Sequence, residues 1–436
     1  MNYALKENSI VFANRLALVC GKEQITYGEL YSAALSRAAE LTAAGMSEGN
    51  VIPLRAFPSI NYFVSYFAIH LIGGIAVPLA SDISEEGFCQ YKESLKTSKV
   101  PEGAADILFT TGTTGKSKGA IISHDTILAN AENLIAAHGY NQDLSFIIST
   151  PLNHYGAWSK VFPCIMRGMT IYLLDGLKVM DDFFNIIGSS TTRVATFMVP
   201  SGIKMLMQLC GDRLSRCADR IEFLETGGAP MSEGDMRRLC GLLPHSRLFN
   251  TYASTESGIV TTYNYQEGCI AGCVGRPLKN SSVAISPQGH ILCSGKTLMT
   301  GYLDDPLLTN DILRGGVVEM SDRGMIDGEG RLHILGRDDD VINTGAYKVN
   351  PLEVEDAANE YAGIKDCICV AVPHIILGTA LKLLYVTHDG GDVSKKDLAH
   401  YLLTKLEKHK VPLLYEQVPS IRMTFNGKKD RKHYRQ

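Results

Sequence analysis

The sequence predicts an α/β fold, in which a large N-terminal domain of layered, mostly parallel sheets flanked by helices precedes a small mobile C-terminal α+β lid. Length is the first observation, because 436 residues exceed what one hydrophobic core usually serves. The second is a series of short apolar runs separated by helix-length stretches, which favours parallel strands with helices on the sheet faces. The third is a change of pattern after Gly336, where a helix, two strands and an amphipathic helix follow.

Local signals define the elements in chain order. Thr26 and Glu29 form a capping box that begins a helix, and Gly45 ends it. Residues 62–80 are apolar over about the length of a membrane span, but two glycines and a proline favour a buried helix up to Ile72 and a strand over residues 75–79. Further strands are predicted over residues 51–56, 145–150, 170–174, 195–199 and 221–226. After residue 337, helices are predicted over 349–362 and 394–409, and strands over 367–372 and 382–387.

Composition and charge restrict the class of protein. A net charge of −4 supplies no global basic field, so we expect no nucleic-acid partner. The N-terminus shows no secretion signal, and we expect no membrane span. The 11 cysteines are an odd number spread along a long chain, which fits a reducing compartment better than a disulfide framework. These features predict a soluble cytoplasmic enzyme, either a monomer or a homodimer.

A hydroxyl- and glycine-rich stretch over residues 110–119 follows an apolar run and carries two lysines. Glycine lets the backbone approach a ligand closely, threonine hydroxyls and N–H groups donate to phosphate oxygens, and lysine adds a mobile positive charge. The stretch predicts a polyphosphate-binding loop; a plain surface turn is the alternative for such a composition. Only two residues separate Gly112 from Gly115, whereas a Walker A loop needs four, so a P-loop kinase or GTPase is not supported.

Three later stretches offer the remaining parts of a nucleotide site. Residues 250–256 combine an aromatic ring, a hydroxyl and a carboxylate, which suit an adenine, a phosphate and a metal ion. Residues 321–340 place a lone acid before a turn, a strand and a charged corner. Residues 426–431 present a lysine after a glycine almost at the C-terminus.

In their order and spacing these four stretches resemble the motifs of the adenylate-forming superfamily of acyl-CoA synthetases, nonribosomal-peptide adenylation domains and beetle luciferases. The resemblance covers nearly the whole chain and is strongest to acyl- or aryl-CoA ligases. It implies ATP-dependent, Mg²⁺-assisted activation of a carboxylic acid to an acyl adenylate, with release of pyrophosphate, followed by thioester formation with coenzyme A. One alternative acceptor is the pantetheine thiol of an acyl carrier protein. An alternative of another class is a non-catalytic protein that binds a nucleotide or an acyl adenylate.

The resemblance also implies a role for each matched residue. Lys428 would bridge the attacking carboxylate and the α-phosphate, Thr255 would reach the α-phosphate, and Glu256 would hold Mg²⁺. Asp339 would be the hinge of the lid, and Gly345 would lie in the loop presented to the thiol tunnel. The implied ATP-binding residues are Thr110, Thr111, Gly112, Thr113, Thr114, Gly115, Lys118, Tyr252, Asp322 and Arg337. The implied substrate-pocket residues are His154, Tyr155, Trp158, Met198, Gly227, Gly228 and Ala229.

The substrate class follows from residues 151–158. They resemble the Pro-Leu-x-His segment of acyl-activating members rather than the Phe-Asp segment with which amino-acid adenylation domains recognise an α-ammonium group. We therefore expect an aryl or medium acyl acid without an α-amine. His154 either gates the thiol tunnel or is a packed histidine. Lys160, Arg193 and Lys204 are the cations that could meet a second carboxylate.

The domains are expected at residues 1–337 and 338–436. Family members usually carry several tens of residues more between the strand over residues 75–79 and the phosphate loop. Residues 80–105 therefore predict a shortened N-terminal domain, with every motif residue retained.

Overall fold

Strands and helices alternate from the N-terminus to residue 254 in the computed structural model, which describes residues 2–110, 117–337, 340–344, 347–375, 378–388, 391–424 and 428–434. The strands of this region are β1 (Leu16–Cys20), β2 (Glu23–Thr26), β3 (Val51–Arg55), β4 (Ile75–Leu79), β5 (Ala104–Thr110), β6 (Lys118–Ser123), β7 (Leu144–Ile148), β8 (Thr170–Leu173), β9 (Arg193–Met198), β10 (Ile221–Gly227) and β11 (Arg247–Ser254). The helices are α1 (Asn2–Val11), α2 (Tyr27–Ala43), α3 (Ile60–Leu71), α4 (Glu85–Ser94), α5 (His124–His138), α6 (Tyr155–Met166), α7 (Met180–Ser189), α8 (Pro200–Arg216) and α9 (Glu233–Leu242).

The large sheet has a parallel half and an antiparallel half. In the parallel half β1, β8, β7, β9, β10 and β11 lie side by side in that order, and β2 pairs antiparallel with β1 at the edge. The antiparallel half continues from β11 with β12 (Gly258–Asn264), β13 (Cys273–Pro277), β19 (Leu332–Arg337), β18 (Val317–Ile326), β15 (His290–Gly295) and β14 (Ser281–Ile285). The short β17 (Leu313–Arg314) follows α10 (Pro306–Ile312) and pairs with β18.

Helices cover both faces of the parallel half. Phe146 and Ile148 of β7 belong to the core that α5 and α6 cover, whereas Ile147 between them packs in a second core with residues of α7, α8 and α9. Successive side chains of a strand point to opposite faces, so a strand buried on both faces becomes a continuous apolar run. This burial explains why the parallel strands could be located from the sequence.

A second sheet of five strands carries the phosphate loop. β3, β4 and β5 run parallel, β6 pairs antiparallel with β5, and the short β16 (Gly301–Tyr302) pairs with β6 at the far edge. Because β16 comes after β15 in the chain, the chain returns from the large sheet to complete the second one. This return places Tyr302 beside the start of β6.

The C-terminal part forms its own small sheets and core. β20 (Ile342–Thr344) pairs with β21 (Tyr347–Val349), and β22 (Ile364–His374), β23 (Gly378–Thr387) and β24 (Leu414–Gln417) form a three-stranded sheet. The helices α11 (Pro351–Asn359) and α12 (Lys395–Lys405) pack on this sheet through a separate core cluster, and α13 (Arg431–Tyr434) follows. The predicted fold class, with a small C-terminal α+β domain, is thus confirmed; the domain boundary and the mobility of the lid stay predictions.

Most predicted elements are confirmed with shifts of a few residues at their ends. The helix predicted over 349–362 is shorter, because Asn350 caps its first turn and Pro351 occupies the first helical position. The antiparallel half of the large sheet was not located from the sequence. Over the described residues, no helix is both long and apolar enough to cross a membrane.

Candidate active site

The predicted phosphate loop follows one strand and precedes its paired neighbour. Thr110 at the end of β5 lies opposite Lys118 at the start of β6, and the Thr110 hydroxyl donates to the Lys118 carbonyl over 3.4 Å. The Ser117 hydroxyl donates to the Thr110 carbonyl over 3.0 Å and closes the base of the hairpin. The predicted ATP-binding residues Thr111, Gly112, Thr113, Thr114 and Gly115 lie outside the described residues.

Tyr302 connects this hairpin to the predicted metal ligand. Its hydroxyl donates to Glu256 Oε1 over 2.9 Å, and the Lys118 ammonium lies 5.6 Å from the centroid of its ring. Burial, and next the charge of Glu256, raises the pKa of Tyr302, so the hydroxyl stays protonated and keeps donating. Glu256 and Thr255 lie in the turn between β11 and β12, both half-buried. The sequence did not predict this contact.

A second carboxylate, Asp322 of β18, is fixed by two donors. The Tyr252 hydroxyl donates to its Oδ2 over 2.8 Å, and Arg337 Nε donates to its Oδ1 over 2.7 Å. Asp322 lies opposite Arg337 in the ladder between β18 and β19, so the ion pair follows from the strand register. Burial, and next the charge of Asp322, raises the pKa of Tyr252, which keeps that hydroxyl a donor. Tyr252, Asp322 and Arg337 are therefore brought together, as their motifs implied.

Lys428 enters the same cleft from the C-terminal domain. Its pKa is lowered by desolvation among the surrounding protein atoms and by the nearby Arg337, while Asp322 and Glu256 raise it. Its side chain still keeps an exposed surface. Desolvation, and next the charge of Lys428, lowers the pKa of His154. Lys428 thus interacts electrostatically with four groups that are spread from residue 154 to residue 337.

The backbone around Lys428 is fixed by a local turn. The Lys428 N–H donates to the Thr424 hydroxyl over 3.2 Å, and the Thr424 N–H donates to the Lys428 carbonyl over 2.6 Å. The hinge residue Asp339 and the tunnel residue Gly345 lie outside the described residues, so their roles stay predictions.

The predicted acyl pocket gathers at the carboxyl ends of parallel strands. β9 ends at Met198 and β10 ends at Gly227, and the carboxyl ends of parallel strands meet at one edge of a sheet, where α/β proteins bind ligands. Two glycines flank Phe197 at this edge: a Cβ on Gly156 would lie 2.6 Å from the Phe197 ring, and a Cβ on Gly227 would lie 2.6 Å from the Thr251 carbonyl oxygen. A side chain at Gly156 would collide with the Phe197 ring, and a side chain at Gly227 would collide with the backbone of Thr251. Beyond β10, Gly228 is exposed with φ of +80°, and Ala229 is half-buried.

Other predicted pocket residues are packed in the protein interior. Trp158 is 2% exposed and packs edge-on against Phe162, with ring centroids 4.6 Å apart. Tyr155 packs beside Trp158 at 5.5 Å and is buried as well. Met198 is buried in the core on the opposite face of the sheet. In this conformation these side chains shape the protein behind the pocket, and their contact with substrate stays a prediction.

A cleft of about 180 Å³ lies beside His154. It adjoins the phosphate hairpin through Phe109 and Ser117. Its remaining lining residues are Pro78, Leu79, Ala80, Ile83, Tyr91 and Asn153, of which three come from the segment over residues 80–105 that is predicted to be shortened. That segment had offered no sequence signal for a site.

A buried charged network lies beneath the pocket edge. The Lys160 ammonium donates to Glu225 Oε1 over 2.7 Å, and both side chains are almost fully buried. His138 lies 3.5 Å from the other Glu225 oxygen and contacts the Thr262 hydroxyl at 3.1 Å. Burial lowers the pKa of His138 to about 4, so its ring is neutral near pH 7. Lys160 also lies 5.0 Å from the centroid of the Phe197 ring, which couples this network to the pocket edge.

The three cations that could have met a second carboxylate all have acidic partners. Lys160 pairs with Glu225, Arg193 pairs with Glu222, and Lys204 pairs with Asp366. Their charges are neutralised inside the protein.

Comparisons with known proteins agree with this geometry. A family model described as AMP-binding enzyme matches residues 5–98 and 90–303, and one described as AMP-binding enzyme C-terminal domain matches residues 353–428. The 2-succinylbenzoate–CoA ligase of Staphylococcus epidermidis (strain ATCC 35984) is 26% identical over 472 aligned residues, covering 99% of this chain and 97% of that protein.

Solved structures show the same fold. ATP-bound MatB from Rhodopseudomonas palustris superimposes with a TM-score of 0.88 at 22% identity, covering 100% of this chain and 99% of that one. The o-succinylbenzoate CoA synthetase from Bacillus subtilis, in complex with its acyl-adenylate intermediate, gives a TM-score of 0.84 at 21% identity and covers 99% and 97% of the two chains. The chain belongs to the AMP-binding enzyme family and is an ATP-dependent, AMP-forming acid–thiol ligase.

Proposed function

We propose that this ligase activates an aromatic carboxylic acid without an α-amine to its acyl adenylate, and then transfers the acyl group to coenzyme A. One observation carries the proposal: Lys428, from the C-terminal domain, lies in one cleft with Glu256 and Asp322 of the large domain. A cation that interacts with two carboxylates, beside a predicted phosphate-binding hairpin, suits a nucleotide whose α-phosphate is attacked.

In the first half-reaction a carboxylate oxygen of the acid attacks the α-phosphorus of ATP, and the bond to the bridging oxygen of pyrophosphate breaks. Negative charge grows on the phosphorus substituents during this step. Lys428 would bring the two anionic reactants together and stabilise that charge, and Thr255 would donate to the α-phosphate. Fixed charges inside a partly desolvated cleft are effective, because they need no rearrangement as the reaction proceeds.

The donor chemistry of Glu256 fits Mg²⁺, a hard cation that prefers carboxylate and phosphate oxygens. Tyr302 donates to Oε1 and so orients the carboxylate, which keeps further lone pairs for the ion. When bound, the ion would neutralise part of the phosphate charge. Lys118 would add a positive charge on the β- and γ-phosphate side of the site.

The nucleoside would be held by Asp322. Arg337 and Tyr252 each donate to one of its oxygens, which fixes the carboxylate for ribose hydroxyl groups. The Tyr252 ring would then lie against the adenine while its hydroxyl remains bonded to Asp322.

In the second half-reaction the thiol sulfur attacks the acyl carbonyl carbon, the bond from that carbon to the phosphate oxygen breaks, AMP leaves, and the thiol proton passes to solvent. The cleft beside His154 adjoins the phosphate hairpin and offers a route for the pantetheine arm. The loop at Gly345 would approach this route after the lid turns about Asp339. Such a turn would also withdraw Lys428, so a single movement of the lid would switch the enzyme from adenylation to thioester formation.

The aromatic preference rests on the pocket edge. Phe197 lies between Gly156 and Gly227, and the buried Lys160 is neutralised by Glu225, so the edge is apolar and carries no free charge. An aromatic ring packed against Phe197 would gain offset stacking as well as burial. Because a relative is named for 2-succinylbenzoate, that acid is the first to test.

Acid-dependent exchange of labelled pyrophosphate into ATP tests the proposal. The panel pairs 2-succinylbenzoate with aromatic monocarboxylic acids, medium-chain fatty acids and amino acids. We expect exchange with aromatic acids and none with amino acids. Mass measurement after addition of coenzyme A or of a pantetheinylated carrier protein then identifies the acceptor. Exchange with amino acids alone, or with no acid, would overturn the proposal.

A further inference from the structure

An ion pair joins the large domain to the C-terminal domain. Lys204 on α8 of the large domain donates to Asp366 Oδ1 on β22 over 3.0 Å. The two side chains are 21% and 22% exposed, so the pair is partly shielded from water. Removing one partner of a shielded ion pair costs more than removing one partner of a pair on an open surface.

The same carboxylate oxygen binds a second lysine. Lys429 Nζ lies 3.2 Å from Asp366 Oδ1. Burial would raise the pKa of Asp366, but the charges of Lys429 and Lys204 lower it below its usual value, so the carboxylate stays ionised. Asp366 is therefore shared by one cation from each domain.

Lys429 is anchored firmly in the C-terminal domain. It donates to Glu355 Oε2 over 3.2 Å and to the Cys367 carbonyl oxygen. Glu355 is buried and also accepts from Arg431 Nη1 over 2.6 Å. Lys429 directly follows Lys428, so a short, well-fixed path runs from α8 through Asp366 to the lysine of the reacting centre.

We propose that the pair between Lys204 and Asp366 is an interdomain latch that positions Lys428 for adenylation and opens before thioester formation. The latch rests on the proposed function, since it presumes two positions of the C-terminal domain. Both residues are positioning residues: they touch neither substrate, and they act by holding the domain that carries Lys428. Loss of the latch lowers the population of the adenylating arrangement and leaves the other one intact.

The experiment separates the two half-reactions in the full-length enzyme. Lys204→Met removes the charge from the large-domain side, keeps an unbranched apolar chain and leaves the bonds of Lys429 in place. We expect pyrophosphate exchange to fall about fivefold to tenfold, as for loss of one partly buried ion pair. Thioester formation from supplied acyl adenylate should stay equal to that of the wild type or rise. Lys204→Arg should restore most of the exchange, because guanidinium can pair with Asp366.

A matched control lies on the same helix. Arg213 of α8 pairs with Asp181 over 2.6 Å within the large domain, so Arg213→Met breaks an ion pair without touching the C-terminal domain. It should leave both half-reactions unchanged. An equal fall of both half-reactions in Lys204→Met, or no fall in either, would overturn the latch. Failure of the wild type to exchange pyrophosphate would instead overturn the proposed function.

Discussion

Removal of the Tyr302 hydroxyl should weaken adenylation through Glu256. The hydroxyl donates to Glu256 Oε1 over 2.9 Å, and Tyr302→Phe removes that bond while keeping the ring beside Lys118. A hydrogen bond to a charged group contributes about 1.5–3 kcal/mol, and about 1.4 kcal/mol in a barrier is a factor of ten. Because Glu256 keeps its charge and loses only its orientation, we expect the lower end, a fall of about tenfold in kcat/KM for pyrophosphate exchange.

The assay is exchange measured across a range of Mg²⁺ concentrations. If Tyr302 orients Glu256 for the ion, the variant should need more Mg²⁺ to reach half of its maximal rate. Tyr252→Phe is the matched control, since its lost hydroxyl bonds Asp322 instead. It should raise the KM for ATP and leave the Mg²⁺ dependence unchanged. Identical Mg²⁺ curves for wild type and Tyr302→Phe would refute the reasoning.

Three further predictions address the proposed catalytic lysine, the buried histidine and the proposed acyl pocket. Lys428→Ala should lower pyrophosphate exchange by about 100- to 1,000-fold with an unchanged Tm. Lys429→Met should instead lower the Tm, because Lys429 pairs with the buried Glu355 and the partly exposed Asp366. The opposite pattern in calorimetry would contradict the assignment. The pKa of His138 is lowered to about 4, so stability present above the unfolded value of about 6.5 should be lost as pH falls from there towards 4, by about 3 kcal/mol; denaturation of wild type and His138→Gln across this window should diverge, and parallel curves would exclude the effect. Gly156→Ala would place a Cβ 2.6 Å from Phe197, so the KM for the acid should rise several-fold while that for ATP stays; equal changes would count against an acyl pocket here.

Local signals predicted the helices and parallel strands well. The capping box at Thr26 and Glu29 is confirmed by both of its hydrogen bonds, 3.2 Å from the Glu29 N–H and 2.9 Å to the Glu29 carboxylate. The strand over residues 75–79 is buried at every position, as its continuous apolar sequence indicated. These signals depend on neighbours in the chain, which is why one sequence is enough to find them.

The antiparallel strands could not be found in the same way. β14 is buried only at Ser281 and β15 only at Ile291 and Cys293, and both strands contain serine among their apolar residues, so their sequences resemble loops. β14 pairs with β15, and β15 is placed by pairing with β18, which comes later in the chain. Such pairing depends on the whole fold rather than on local preference.

The order of the motifs identified Glu256, Asp322 and Lys428 as candidate site residues. It could not identify every side chain that contacts them. Tyr302 reaches Glu256 across 46 residues and from a different sheet. The pair between Lys160 and Glu225 spans 65 residues. Neither contact has a spacing that a sequence pattern would show.

Because β16 completes the five-stranded sheet, the proposed reaction centre lies at a seam, the junction between that sheet and the large sheet. Tyr302 belongs to the five-stranded sheet, and the carboxylate that it holds belongs to the large one. A nucleotide lodged across that seam would fasten the layers to each other, so saturating ATP should raise the unfolding temperature of the whole large domain together. Substitutions that weaken the contact between the two sheets would also slow turnover, even at positions far from any substrate.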